Sequence, residues 1–478
     1  MEDTFRIYIN LTNPKNKVYS IMKKTKQITI LSGLFIPLIS VAQTSDVKPN
    51  VILINIDDLG WADVGYNGAK YYETPNMDKL HSKGVSFHNA YAAAANSAPS
   101  RASMLTGLYA PRHGVYTVNP ADRGNAKDRK LKSAPNNRHV HDSIETLPAA
   151  LRSVGYATCH IGKWHIGNDP LKQGMDINIG GSHLGHPKSY FAPYKNPNLI
   201  DGPKGECLTT RLGLEAANYI DTVGAKKPFF LYYAPFAVHT PLQANDSLVA
   251  KYKQKKSTDA HYDPTYAAMV EVVDNTVGMI LDAVGKRGAE ENTVIVFTSD
   301  NGGVYDISKQ WPLRAGKGSF YEGGIREPFV IYQKGHFEGG RNYDVAVSQL
   351  DIFPTLMELA GGTRQLDGVS LVPLLNKDND AELRNRALYW HFPAYLEDGN
   401  VESRDAIFRS RPVSVVRYKG WKLIENYEDG SLELYNLSVD VSEKTNLSEA
   451  KPRKTQQLYE MLNEWKRDTE AALPSVVK

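Results

Sequence analysis

From residue 51 to about residue 365, short apolar runs alternate with segments of helical amphipathic pattern. That alternation confines the chain to an α/β fold: a central, mostly parallel sheet flanked by helices. The candidate central strands are 51–56, 156–161, 229–233, 294–298 and 329–332, each an apolar run of the kind that a strand buried on both faces requires. Between two of them, Val270, Val273, Val277, Ile280, Leu281 and Val284 recur at helical spacing, which predicts a helix with one face on the sheet. Ligands in such folds bind beyond the carboxyl ends of the strands. The residues that follow each strand therefore carry the functional reading.

From about residue 366 the sequence turns polar and turn-rich, then gives hairpin-like runs at 413–417, 421–425 and 432–436 and a last helix over 455–472. Glu428-Asp429-Gly430 is a hairpin turn signal between two of these runs. The expected organisation is an N-terminal extension and signal peptide over 1–42, a main domain over 46–365, and a C-terminal subdomain over 366–478 made of an antiparallel sheet plus a helix.

Basic Met22-Lys23-Lys24-Thr25-Lys26, the apolar run 28–41 and small Ser40 and Ala42 read as an export signal starting at Met22. The run is shorter than the ~20 residues of a spanning helix and holds Pro37, so no stable membrane insertion is expected after its removal. An exported, periplasmic protein is the expectation. Residues 1–42 carry six basic and two acidic side chains, so without them the net charge falls from +3 to −1. Such a balance gives no support to nucleic-acid binding. Two cysteines, Cys159 and Cys207, make no disulfide framework, and Cys159 in its apolar run reads as a buried free thiol.

The strand 51–56 is followed by Asp57-Asp58, and the strand 294–298 leads into Ser299-Asp300-Asn301. These hard oxygen donors suit Ca²⁺ or Mg²⁺, not zinc. Each pair alone is more often a solvated turn or a helix cap than a ligand set.

Ser97-Ala98-Pro99-Ser100-Arg101, closed by Thr106-Gly107, adds a specific pattern. It resembles the modification signature of the formylglycine-dependent sulfatases of the alkaline phosphatase superfamily. Gly162-Lys163-Trp164-His165-Ile166-Gly167, the segment 235–241 with His239, Gly316-Lys317-Gly318-Ser319, Tyr321-Glu322-Gly323-Gly324-Ile325-Arg326 and Glu433-Leu434-Tyr435-Asn436-Leu437 extend the resemblance over nearly the whole chain.

The resemblance implies an alkaline phosphatase-like fold and a bacterial carbohydrate sulfatase. It also implies Ca²⁺ held by Asp57, Asp58, Asp300, Asn301 and the modified Ser97, with Ser97 oxidised to 3-oxoalanine (formylglycine). The hydrated aldehyde is a gem-diol, with one hydroxyl to attack sulfur and a second to expel sulfate. Arg101 would hold the diol, Lys163 and Lys317 would face the sulfate oxygens, His165 would assist the diol, and His239 would protonate the leaving sugar oxygen. Serine in place of the commoner cysteine implies a serine-type, oxygen-independent maturase as a partner. The expected substrate is a sulfated saccharide, with galactose or an N-acetylhexosamine as the modified sugar. Trp390-His391-Phe392-Pro393 is expected at the site mouth or in the core, Arg326 is expected to brace the fold, and Arg314 is open between the site and the fold. The rivals are a phosphomonoester or phosphonate hydrolase of the same superfamily and a silent glycan-binding relative. The latter's sign, a missing nucleophile, ligand or lysine, is absent.

Overall fold

Strand β1 (Asn50–Ile56) is buried along its whole length, because it takes parallel partners on both sides. Its side chains alternate between two cores: Ile52, Ile54 and Ile56 enter one, Val51 and Leu53 the other. The computed structural model describes residues 48–224, 226–337 and 339–477. The expected signal segment, 1–42, lies outside the described residues. Among them, no helix is long and apolar enough to cross a membrane.

The other strands of the main sheet are β2 (Val85–Phe87), β3 (Ala157–Gly162), β4 (Ile177–Ile179), β5 (Phe229–Ala234), β6 (Thr293–Ser299), β7 (Phe329–Tyr332) and β8 (Arg341–Tyr343). They form one eight-stranded sheet in the order β8-β2-β7-β6-β1-β5-β3-β4. All neighbours are parallel except β7, which runs antiparallel to both β6 and β2. The mostly parallel α/β architecture expected from the apolar runs is thus present. Ile56 stands opposite Ser299 in the register of β1 and β6, so the two acidic segments leave the sheet side by side.

One face is covered by α2 (Leu208–Thr222) and α3 (Pro264–Lys286). Asp263 caps α3 by accepting from the N–H groups of Thr265 and Tyr266 at 2.8 and 2.9 Å, and Pro264 opens the first turn. Val270, Val273, Val277, Ile280 and Val284 of that helix are buried, as their spacing predicts. The other face is covered by α1 (Ser97–Thr106) and by Ile352–Leu359, and Leu371, Leu374, Leu375 and Leu383 join that same core. Cys159 is a buried free thiol and Cys207 a half-buried one.

A four-stranded antiparallel sheet follows, β9 (Leu388–Phe392), β10 (Val413–Tyr418), β11 (Trp421–Asn426) and β12 (Leu432–Asn436), in sequence order. Helix α4 (Pro452–Asp468) packs Leu458, Leu462 and Trp465 on Val416, Leu423 and Leu434 of one face. The opposite face, with Val415 and Ile424, packs on Ala95, Phe320, Tyr321 and Ile325.

Of the two positions open to Trp390 and Phe392, the structure takes the core. They alternate with His391 along β9 and lie on that inner face; Trp390 Nε1 donates to the Ala92 carbonyl at 2.8 Å, and Phe392 meets Phe320. His391, on the other face, lies between Ser414 Oγ at 2.6 Å and the Ala472 carbonyl at 2.9 Å. All three side chains are buried, and none forms a site mouth.

Candidate active site

All ten residues of α1 are buried, so its polar side chains need internal partners. Ser100 Oγ donates to Gln349 Oε1 at 2.6 Å, Thr106 Oγ1 donates to the Ala102 carbonyl at 2.7 Å, and Ser103 Oγ pairs with His113 Nε2 at 2.9 Å. Pro99 sits in the first turn, where a missing N–H costs nothing. Gly107, at φ 68°, ends the helix by donating to the Ser103 carbonyl at 2.8 Å. The positive end of this helix therefore carries Ser97, whose Oγ lies 3.2 Å from Asp57 Oδ1 and 3.3 Å from Asn301 Oδ1.

Asp57 and Asp58 follow β1, and Asp300 and Asn301 follow β6. Asp58 adopts a left-handed backbone at φ 62°, which sets its N–H on Asp300 Oδ1 at 3.1 Å. Asn301 Nδ2 donates to Asp58 Oδ1 at 2.8 Å, turning its own oxygen towards Ser97. Asp57, Asp58 and Asp300 are buried, and each offers a carboxylate oxygen within 4.8 Å of the others. A converging set of oxygen donors with three carboxylates fits a hard divalent cation of the Ca²⁺ class.

Three cations meet these acids. Lys163 Nζ donates to both oxygens of Asp57 at 2.8 and 2.7 Å, and Lys317 Nζ donates to Asp58 Oδ2 at 2.7 Å. Arg101, one turn along from Ser97, donates Nε to Asp300 Oδ2 at 2.7 Å and Nη1 to the Lys163 carbonyl at 3.1 Å. Its Nη2 has no hydrogen-bond partner and lies 3.6 Å from Asp57 Oδ1. Gly162, which precedes Lys163, lets β3 end tight against β5: at φ 108°, a Cβ there would stand 2.1 Å from the Ala234 carbonyl oxygen, the acceptor of the Lys163 N–H.

Burial pushes Asp57 up to about 8 against the attraction of Lys163. Burial likewise pushes Lys163 down, so the pair titrates as a unit. Burial also raises Asp58, but Lys317, His239 and Lys163 outweigh it and hold that carboxyl below the usual range. Asp300 is held low in the same way by Arg101 and Lys163. A divalent cation among these groups would keep all three carboxylates ionised.

His239 follows β5, with Nδ1 2.7 Å from the Thr240 carbonyl and Nε2 3.7 Å from Asp58 Oδ2. The carbonyl fixes the proton on Nδ1 and leaves Nε2 facing the acids. Burial, then Lys317, pushes His239 down to about 3. His165, at φ 66°, is held well below its ordinary value by burial and by Lys163 and Arg101. Its Nδ1 is buried without a hydrogen-bond partner. The structure thus brings Asp57, Asp58, Ser97, Arg101, Lys163, His239, Asp300, Asn301 and Lys317 into one cluster of direct contacts. His165 stands at its edge.

Sequence reasoning missed three supporting residues. Tyr232 OH accepts from Asn55 Nδ2 at 3.0 Å and from Arg101 Nη1 at 3.2 Å, aiming the guanidinium. Tyr190 OH lies 2.7 Å from the carbonyls of both Phe236 and His239, pinning the His239 loop. Gln349 joins Ser100 of α1 to the Ser299 carbonyl. Tyr232 sits in an unbroken apolar run, so nothing in the pattern marked its hydroxyl as special. Arg326 braces the fold as expected, donating to the His88 carbonyl at 2.7 Å beside Glu322. Arg314 does the same: it stacks 3.7 Å over Tyr321 and donates to the carbonyls of Glu402 and Glu443 at 2.9 and 3.0 Å.

Residues 49–362 match the sulfatase family, and residues 316–470 match the C-terminal region of N-sulphoglucosamine sulphohydrolase. A sulfatase of Formosa agariphila is 34% identical over 515 aligned positions, which cover 90% of each chain. Human N-acetylgalactosamine-6-sulfatase is 32% identical over 377 positions, 72% of this chain and 68% of that one. The crystal structure of Ps i-CgsB in complex with k-i-k-neocarrahexaose superposes with a TM-score of 0.73 at 33% identity, covering 88% of this chain and 93% of that one. With the fold, a family match over more than half its length and a relative this similar across nine-tenths of it, the chain belongs to the sulfatases, the sulfuric ester hydrolases.

Proposed function

We propose that the chain hydrolyses O-sulfate esters of a sulfated glycan, with galactose or an N-acetylhexosamine as the modified sugar and position 97 as the nucleophile. The observation that carries this reading is the placement of Ser97 Oγ at a helix N-terminus, within 3.3 Å of both Asp57 and Asn301. The name of the human relative and the neocarrahexaose bound in the Ps i-CgsB complex support a glycan substrate.

In this reading Asp57, Asp58, Asp300, Asn301 and residue 97 hold Ca²⁺, and Ser97 is converted to formylglycine by a serine-type maturase. When present, the ion and the hydrated aldehyde supply an acidified hydroxyl to attack sulfur and a second hydroxyl to expel sulfate. Lys163 and Lys317 set fixed positive charge against the sulfate oxygens, where negative charge grows. Arg101 orients residue 97, with His165 beside it. His239, its Nδ1–H held by the Thr240 carbonyl, takes a second proton on Nε2, drawn there by Asp58 and the negative charge of the bound ester against the burial that disfavours it, and passes that proton to the leaving sugar oxygen.

We also propose export to the periplasm, and a division of roles at about residue 365: the part from 46 carries the chemistry, and the part to 478 buttresses the Lys317 segment. The contacts of β10 and β11 with Phe320, Tyr321 and Ile325 support that buttress.

The test is mass spectrometry of the Ser97 peptide from a host with a serine-type maturase, alongside rates on a sulfate and a phosphate ester of one leaving group. A peptide lighter by two hydrogens that a hydrazine captures, with sulfate preferred, is the expected result. Multiple turnover by a protein whose Ser97 is wholly unmodified would overturn the nucleophile. Preference for the phosphate ester would move the chain to the phosphomonoester and phosphonate hydrolases of the superfamily.

A further inference from the structure

Beside the candidate catalytic set lies a cavity of about 670 Å³, within the ~300–1,000 Å³ usual for small-ligand sites. Ala98, the neighbour of Ser97, and His165 line it, so it adjoins the reaction centre. Arg138, His139 and His183 line it too, and no aspartate or glutamate does. Among the described residues, the side chains of Arg138 and His183 form no hydrogen bond or ion pair. Burial, then the nearby His183 and Arg138, holds His139 below its ordinary value, the mark of basic groups that repel one another without an acid to offset them.

Such a wall attracts anions, and the planar Arg138 fork matches the geometry of an oxyanion. It is not among the cations paired with the acids, which are Lys163, Lys317 and Arg101, and those already supply the positive charge at the scissile sulfate. We propose that this cavity is a specificity subsite in which Arg138, His139 and His183 hold an oxyanion substituent, sulfate or carboxylate, on the sugar next to the one that loses its sulfate. The proposal rests on the glycan sulfatase reading, and it makes the preferred substrate an oligosaccharide with charge on adjacent residues.

The test uses matured enzyme and three matched oligosaccharides whose neighbouring sugar carries a second sulfate, a carboxylate or neither. The wild type should show kcat/KM at least about tenfold higher with a neighbouring anion, a difference of the size one charged hydrogen bond gives. Arg138→Ala should collapse that ratio and Arg138→Lys should keep part of it. An advantage confined to one of the two anionic substrates names the group bound. Calorimetry on Ser97→Ala protein gives a readout free of catalysis: Arg138→Ala should weaken binding of the anionic oligosaccharide by about tenfold. A wild type that hydrolyses sulfate esters without regard to the neighbour, or binding unmoved by Arg138→Ala, would overturn the subsite and leave the sulfatase reading standing. A wild type that hydrolyses no sulfate ester would overturn that reading, while the calorimetry still decides the subsite.

Discussion

Lys163 holds both carboxylate oxygens of Asp57, at 2.8 and 2.7 Å, with neither side chain exposed to water. Removing one member strands the other as a buried charge, which costs about 3–5 kcal/mol. Lys163→Ala should therefore lower the unfolding midpoint as well as abolish sulfate hydrolysis. Lys163→Met combined with Asp57→Asn should regain most of the stability and none of the activity. Urea unfolding and an aryl sulfate assay on both variants check this, and a fully stable Lys163→Ala protein would contradict it.

Chelation should remove activity, and Ca²⁺ should restore it. The same treatment should lower stability, because a ligand at a hundred times its Kd stabilises the native state by about 2.7 kcal/mol. Asp300→Ala should lose the response to Ca²⁺ in the melting curve. A chelator-treated enzyme that keeps its full rate while holding no metal would rule out the site.

His239→Ala should slow hydrolysis of sugar and alkyl sulfates by ~10²-fold or more, the usual worth of a general acid. An aryl sulfate, whose phenolate leaves with little help, should be slowed far less. Equal losses on both substrate types would reduce His239 to a residue that positions the sulfate.

His113, His160 and His391 are buried, and burial holds them at about 3, 4 and 4 against 6.5 for the free side chain. Between those values the unfolded chain binds protons that the native protein does not, so stability falls as pH drops below about 6.5. Each such histidine contributes a slope of ~1.4 kcal/mol per pH unit in that window. Urea midpoints should fall steadily from pH 7 to pH 5. His113→Gln should flatten the slope by one proton's share; an unchanged slope would show that His113 takes up its proton in the native state as readily as in the unfolded chain.

The candidate site was legible because its acidic residues lie where strands end. Asp57, Asp58, Asp300 and Asn301 follow recognisable apolar runs, and β1 and β6 pair in register, so reading the runs located the acids. Ser97 carried a motif of its own. What stayed illegible depends on contacts between distant segments. Tyr232 and Tyr190 are ordinary aromatic residues until the fold sets their hydroxyls on Arg101 and on the His239 loop. Trp390 and Phe392 could line a sugar site or fill a core; that β9 packs inward on Ala92 and Phe320 is settled only by tertiary structure. Nor does an apolar run reveal its direction, so the reversal of β7 could not be read in advance.

Ser97 is 3% exposed, at the inner end of a helix whose ten residues are all buried. No second enzyme can close its own catalytic groups around a side chain in that position. If Ser97 is oxidised, the oxidation belongs to the newly made chain, before α1 docks beneath the sheet. Biosynthesis then has a fixed order and a deadline: a chain that folds first is locked in an unconverted form, and no later supply of the converting enzyme can rescue it without unfolding.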